Sequence, residues 1–109
     1  MIFKQYILKD RVPVVANNLT EYALWNSIDA NRRVGDDTVS IKRKSDGKRE
    51  DVRVSTVFLG MDHGGYMDDV PILFETMVFG GPNDQYMDRC STWEEAEDMH
   101  KRVLAMVSA

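Results

Sequence analysis

The chain has 109 residues, 43% of them hydrophobic and 29% charged, with a net charge of −4. That length fits one domain, large enough to bury roughly two-thirds of its unfolded surface without metal, cofactor or disulfide support. No apolar run is long enough for a membrane span, the lone Cys90 excludes an internal disulfide, and Met1-Ile-Phe-Lys-Gln-Tyr6 carries no export signal, so a cytoplasmic location is expected.

Charge is distributed unevenly. Residues 1–61 hold eleven Lys and Arg against eight Asp and Glu, whereas residues 62–109 hold three against ten. The balance runs from +3 to −7, which predicts an acidic face if the fold keeps the halves apart.

In chain order, Ile2 to Leu8 reads as a short strand, Lys9-Asp10-Arg11 as a tight turn, and Val12 to Ala16 as the partner strand, with Pro13 marking an edge. Asn18-Leu-Thr-Glu21 places an acid three residues after an N-cap Asn, a variant capping box that opens a helix to about Asn31. Thr38 to Lys44 alternates Val39 and Ile41 with polar neighbours, and the Asp-Gly pair in Ser45-Asp-Gly-Lys48 turns the chain back. Residues 36–50 therefore read as a projecting basic hairpin.

Val52 to Leu59 and Val70 to Phe79, joined by the loop Gly60 to Asp69, form the central pair. In the second segment Ile72, Phe74, Thr76 and Val78 oppose Leu73, Glu75, Met77 and Phe79, so both faces are apolar. Such a strand predicts cover on both sides, by helices on opposite faces or by a second copy of the chain in a homodimer. Pro71 lacks a ladder donor and belongs at the strand's start. Gly80-Gly-Pro-Asn-Asp84 is a turn and Tyr86 to Cys90 a brief strand. Thr92 with Glu95 makes a second capping box before a helix whose stripe is Trp93, Ala96, His100, Val103, Leu104 and Val107. The expectation is a single α+β domain over residues 1–109, in the order ββ-α-ββ-ββ-α: a central antiparallel sheet of four to six strands with two helices.

Three stretches resemble a known family. Val54-Ser-Thr-Val-Phe-Leu-Gly-Met-Asp-His63, Pro71-Ile-Leu-Phe-Glu-Thr-Met-Val-Phe-Gly-Gly-Pro82 and Ser91-Thr-Trp-Glu-Glu-Ala-Glu-Asp-Met-His100, with Arg32-Arg-Val34 upstream, are similar to small uncharacterised proteins of tailed bacteriophages and prophages. The likeness spans about two-thirds of the chain. Two features depart from it: a longer basic hairpin from Asp36 to Glu50, and Gly64-Gly-Tyr-Met-Asp-Asp69 in place of a shorter Gly-rich loop. The resemblance implies a phage origin and a bacterial host cytoplasm, and it identifies no ligand.

Candidate site residues are few. Asp62 and His63, with Glu75 or His100, are the donor types of a divalent metal site or an acid/base pair, but their spacing matches no metal motif. An Asp in a Gly-rich turn more often bonds its own backbone. Glu75, amid apolar neighbours, needs a partner, for which Arg32, Arg33, Arg53 and His100 are candidates; His100 itself reads as a core histidine. Arg32, Arg33, Asp62 and His63 with the backbones of Gly60 to Gly65, Gly80 and Gly81 form an alternative site for an anionic nucleotide, although a phosphate loop would lead into a helix. The basic arm Lys42 to Arg53 lacks interleaved aromatics, so direct nucleic-acid binding is not expected. Met61, Met67 and Met87 hint at an adaptable contact surface.

The leading expectation is a phage-encoded, non-enzymatic binding protein acting on a host protein or protein–nucleic-acid complex, as an anti-CRISPR-like inhibitor of a bacterial defence system does. Glu94, Glu95 and Asp98 would face a basic partner surface. The alternatives are a protein that sequesters an anionic nucleotide signal and a metal-dependent enzyme built on Asp62, His63, Glu75 and His100.

Overall fold

The computed structural model describes residues 4–62 and 70–108. β1 (Tyr6–Lys9) and β2 (Val12–Val15) pair as a separate antiparallel hairpin; β3 (Arg33–Lys42), β4 (Arg49–Phe58), β5 (Phe74–Phe79) and β6 (Met87–Cys90) form an antiparallel sheet in that order. The helices are α1 (Leu19–Asn26), α2 (Asp29–Arg32) and α3 (Trp93–Ser108). The α+β class and the element order agree with the sequence, and β4 and β5 are the sheet's middle pair.

Local chemistry explains the boundaries. Asp10 and Arg11 both have positive φ, 50° and 67°, the backbone of the tight turn that matches strand twist in a two-residue hairpin. The Arg11 guanidinium lies 5.1 Å from the Trp93 ring centre, a contact that offsets the strain of a left-handed arginine. The single helix expected from Asn18 to Asn31 is instead two. Ser27 Oγ donates to the Leu24 carbonyl and Asn31 Nδ2 to that of Trp25, satisfying the end of α1 and letting the chain turn before α2. β3 begins at Arg33, ahead of the expected Thr38, because a bulge between Arg33 and Gly35 interrupts its alternation. β5 begins at Phe74 and not Val70: the Ile72 N–H donates to the Asp62 carboxylate at 2.8 Å and Pro71 has no N–H.

The core lies between the sheet and α3. Toward one end, Phe58, Leu73, Phe74 and Ala96 pack with Tyr6, Leu8, Trp25 and Trp93; toward the other, Val52, Val54, Val78, Met99, Val103 and Val107 pack with Val39 and Ile41. The hairpin and α1 therefore cap the first end, where the strands' Phe58 and Phe74 lie. At the far end Gly80 turns the chain out of β5 at φ +96°, and a Cβ there would stand 2.8 Å from the Asp51 carbonyl, so backbone meets backbone where no side chain fits.

One expectation is corrected. α3 covers only the face of β5 that carries Phe74, Thr76 and Val78. On the other face Phe79 is 43% exposed, and among the described residues no helix lies over it. Side chains of the sheet itself shield that face in part: Arg53 lies over Phe79, 5.7 Å from the ring centre, and Arg89 bonds Glu75 across the strands. Arginine stems thus supply some of the apolar contact that a second layer would have provided.

Candidate functional site

His100 is the hub of the polar interior. Its Nδ1 lies 2.7 Å from Thr56 Oγ1 and its Nε2 2.7 Å from Asp37 Oδ2, while Thr56 in turn bonds Thr76. Because an ionised carboxylate only accepts, a ring hydrogen on Nε2 faces Asp37, and the Thr56 and Thr76 hydroxyls, each able to donate or accept, complete the row. β3, β4, β5 and α3 each contribute one member: in register, Gly35 and Thr76 both sit opposite Thr56. Gly35 makes room for the ring, since a Cβ there would stand 2.8 Å from His100 Nε2. Hydroxyl, imidazole and carboxylate are the residue types of a nucleophilic triad, yet Thr56 and Thr76 are 0% exposed. Sealed from solvent, the two hydroxyls tie β4, β5 and α3 together, and through His100 the row reaches Asp37 on β3.

Of the carboxylates and histidines singled out in the sequence, Glu75 and His100 do not converge. Glu75 and Thr76 are neighbours on β5, so Glu75 points to the open face while the His100 row lies on the helix face. Glu75 accepts from Arg89 Nε at 3.0 Å, its cross-strand neighbour on β6 and a partner outside the expected set of Arg32, Arg33, Arg53 and His100. Asp62 accepts from the Ile72 N–H; His63 and the expected loop from Gly64 to Asp69, Met67 included, lie outside the described residues. Among the described residues no cluster of His, Cys, Asp and Glu is placed to hold a metal ion.

The nucleotide site expected at Arg32, Arg33, Gly80 and Gly81 is also divided. Arg33 bonds Asp29 and Asp36, Arg32 bonds Asp29, and Arg53 bonds Asp36 on the open face. The Arg33 guanidinium beside Asp29, and that of Arg53 beside Asp36, hold both carboxyls below their usual range. Arg33 pairs with Val57 of β4 and Gly80 abuts Asp51, six residues back along the same strand, a separation of about 20 Å. The Gly80 N–H is taken by Asp84 Oδ1 at 2.7 Å.

Two surfaces stand out instead, one at each end of α3. At its N-terminal end, α1 has no buried residue: Leu19 is 66% exposed, Leu24 67% and Ile28, just beyond it, 55%. The outward row Thr20, Ala23, Leu24 and Ser27 bears no charge, and the helix's one acid, Glu21, is turned back to bond Asn17. Trp25 on the inward side begins a chain of edge-to-face ring contacts through Phe58 and Phe74 to Trp93, with centroids 5.5, 5.3 and 6.3 Å apart. This places α1 at the same end as the first turns of α3. There Glu94 and Asp98 are exposed with Glu97, while Glu95 closes the capping box with Thr92. At the C-terminal end of α3, a groove of about 690 Å³ lies between the β3–β4 turn, Gly81 to Asn83 and Met106 to Ser108.

Cys90 contributes to neither surface. Burial pushes its thiol up to about 11, which leaves little thiolate at neutral pH.

No family model matches the chain, and no curated protein or solved structure matches it.

Proposed function

We propose that the chain is a non-enzymatic binding protein whose partner-facing surface is the end formed by α1 and the first turns of α3. The observation that carries this reading is the uncharged, outward face of α1 in a chain with 29% charged residues. A solvent-facing helix ordinarily gathers its charges on its outer side, and exposed apolar surface rimmed by charge is the usual mark of a protein contact. The helix is about 12 Å long, too small an area for a stable association by itself. Glu94, Glu97 and Asp98, exposed at the same end of the molecule, add negative charge to it and select a basic protein surface with an apolar groove. In line with the phage resemblance, the partner is a host protein, such as a nucleic-acid-binding component of a bacterial defence system, and the action is occlusion in the host cytoplasm.

The test is comparative capture from a bacterial lysate. Wild-type protein should retain a partner that Leu24→Glu loses and that Glu94→Lys with Asp98→Lys also loses, with both variants matching wild type by circular dichroism. Raised salt should release the partner. If no protein distinguishes wild type from Leu24→Glu, this surface is not the interface and the reading falls.

A further inference from the structure

We propose that the open face of the four-stranded sheet is where two copies of this chain pack together. This surface uses no residue of α1 or α3. Directly opposite residues in an antiparallel pair share a face, so the register lays it out in rows across the strands. The middle row holds Ser55, Met77 and Met87; the row on one side holds Glu75 and Arg89, and the row on the other holds Arg53 and Phe79.

The bland explanation is the wet face of an antiparallel sheet, shielded by its own arginine stems. That accounts for Ser55, only 9% exposed among taller neighbours, but it leaves Phe79 and Met87 at 43% and 45%. Composition also decides against it. Of the chain's six lysines the register places only Lys42 on this face, at its tip, whereas Arg33, Arg49, Arg53 and Arg89 all lie on it. Met, Phe and Arg with few Lys are the make-up of a protein interface and not of a solvated surface.

Self-complementarity points to a second copy as the occupant. A two-fold axis along the middle row exchanges the rows about 7 Å to either side of it. Met77 and Met87 then meet their own counterparts, while Glu75 and Arg89 of each copy face the Arg53 and Phe79 of the other. Arg53 already stands 5.7 Å from the Phe79 ring centre, so the arriving carboxylate meets a guanidinium and the arriving guanidinium an aromatic ring. Across these rows Arg33, Arg53 and Arg89 stand against Asp36 and Glu75, a surplus of one charge that gives a strongly charged partner no complement. β5 has six residues and β4 ten. At about 4.8 Å between strands and about 3.3 Å per residue the face measures about 20 by 25 Å. Two copies thus bury about 1,000 Å², the low end for a specific interface, which predicts a dimer of micromolar affinity.

Analytical ultracentrifugation of the full chain tests the assignment. A concentration-dependent dimer is expected, and Met87→Glu, at an exposed position, should weaken it at least about tenfold with unchanged circular dichroism. Arg53→Glu and Glu75→Arg should each be monomeric alone. Mixed in equal amounts they should dimerise, because opposite charges then face each other at both symmetry-related contacts. A monomer at about 100 μM overturns the proposal. So does a mixture of the two charge variants that stays monomeric, and so does a dimer that Met87→Glu retains and Leu24→Glu abolishes, which would belong to α1.

Discussion

Thr56 makes two buried hydrogen bonds with one hydroxyl, to Thr76 and to His100, so its loss strands two partners at once. Thr56→Val should destabilise the protein by about 2–4 kcal/mol and Thr76→Val by about 1–2 kcal/mol, because an unsatisfied buried polar group costs about 1–3 kcal/mol. Urea midpoints check the ranking, which fails if the two variants are equivalent. Gly35→Ala should be at least as damaging as Thr76→Val, since its methyl would displace the imidazole that bridges Thr56 and Asp37. This row was not legible in the sequence. His100 and Asp37 are 63 positions apart, and only the register of β3 on β4 brings Asp37 to the helix face. Arg89 was missed as Glu75's partner for the same reason: which residue sits across a strand depends on register, and composition does not encode it.

At the scale of elements, the two main helices are held in different ways. α3 buries Ala96, Met99, His100, Val103 and Val107, whereas α1 has no fully buried residue and is held by Trp25 against Phe58 and by its ends, where the Asn18 side chain accepts from the Glu21 N–H at 2.8 Å. Asn18→Ala and Thr92→Ala each remove a cap worth about 1 kcal/mol, but the losses should register differently. Thr92→Ala should lower the global unfolding free energy by about that amount. Asn18→Ala should mainly speed amide hydrogen exchange within α1, which opens on its own more readily than β4 or α3. Equal protection of α1 and α3 amides in the wild type would contradict this. The same contrast governs what could be read in advance. α3 was plain because an amphipathic stripe and a capping box reinforce each other, while the split between α1 and α2 depended on Ser27 and Asn31 bonding back to nearby carbonyls. The doubly apolar β5 was read correctly as central but misleadingly as a strand with a helix on each face, because the pattern does not reveal that Arg53 and Arg89 lie across its second face.

Over the whole molecule the charge asymmetry of the linear chain persists only in part: the basic β3–β4 turn lies at the far end of α3 from Glu94, Glu97 and Asp98, but Arg11 stands against Trp93 beside them. α3, about 24 Å long, carries carboxylates in its first turns and ends beside the basic groove. The proposed partner-facing end was legible only in part: Glu94, Glu95 and Asp98 were singled out in the sequence, whereas α1 looked like an ordinary helix. The asymmetry also bears on stability in acid. Hydrogen bonding to Arg53 and to Arg102 holds the Asp36 and Asp88 carboxyls below their ordinary value. Each therefore contributes stability that is present above that value and is lost as pH falls through the lower folded-state value. Urea midpoints should fall below about pH 4, and less steeply in a variant carrying Asp36→Asn and Asp88→Asn; identical profiles would place the acid sensitivity elsewhere.

The run of rings from Trp25 to Trp93 has a practical result. It contains both tryptophans of the chain, so their near-ultraviolet emission watches one pole of the protein and is nearly blind to the other. A guest docking on α1 should alter that glow; one settling by Phe79 should leave it unchanged.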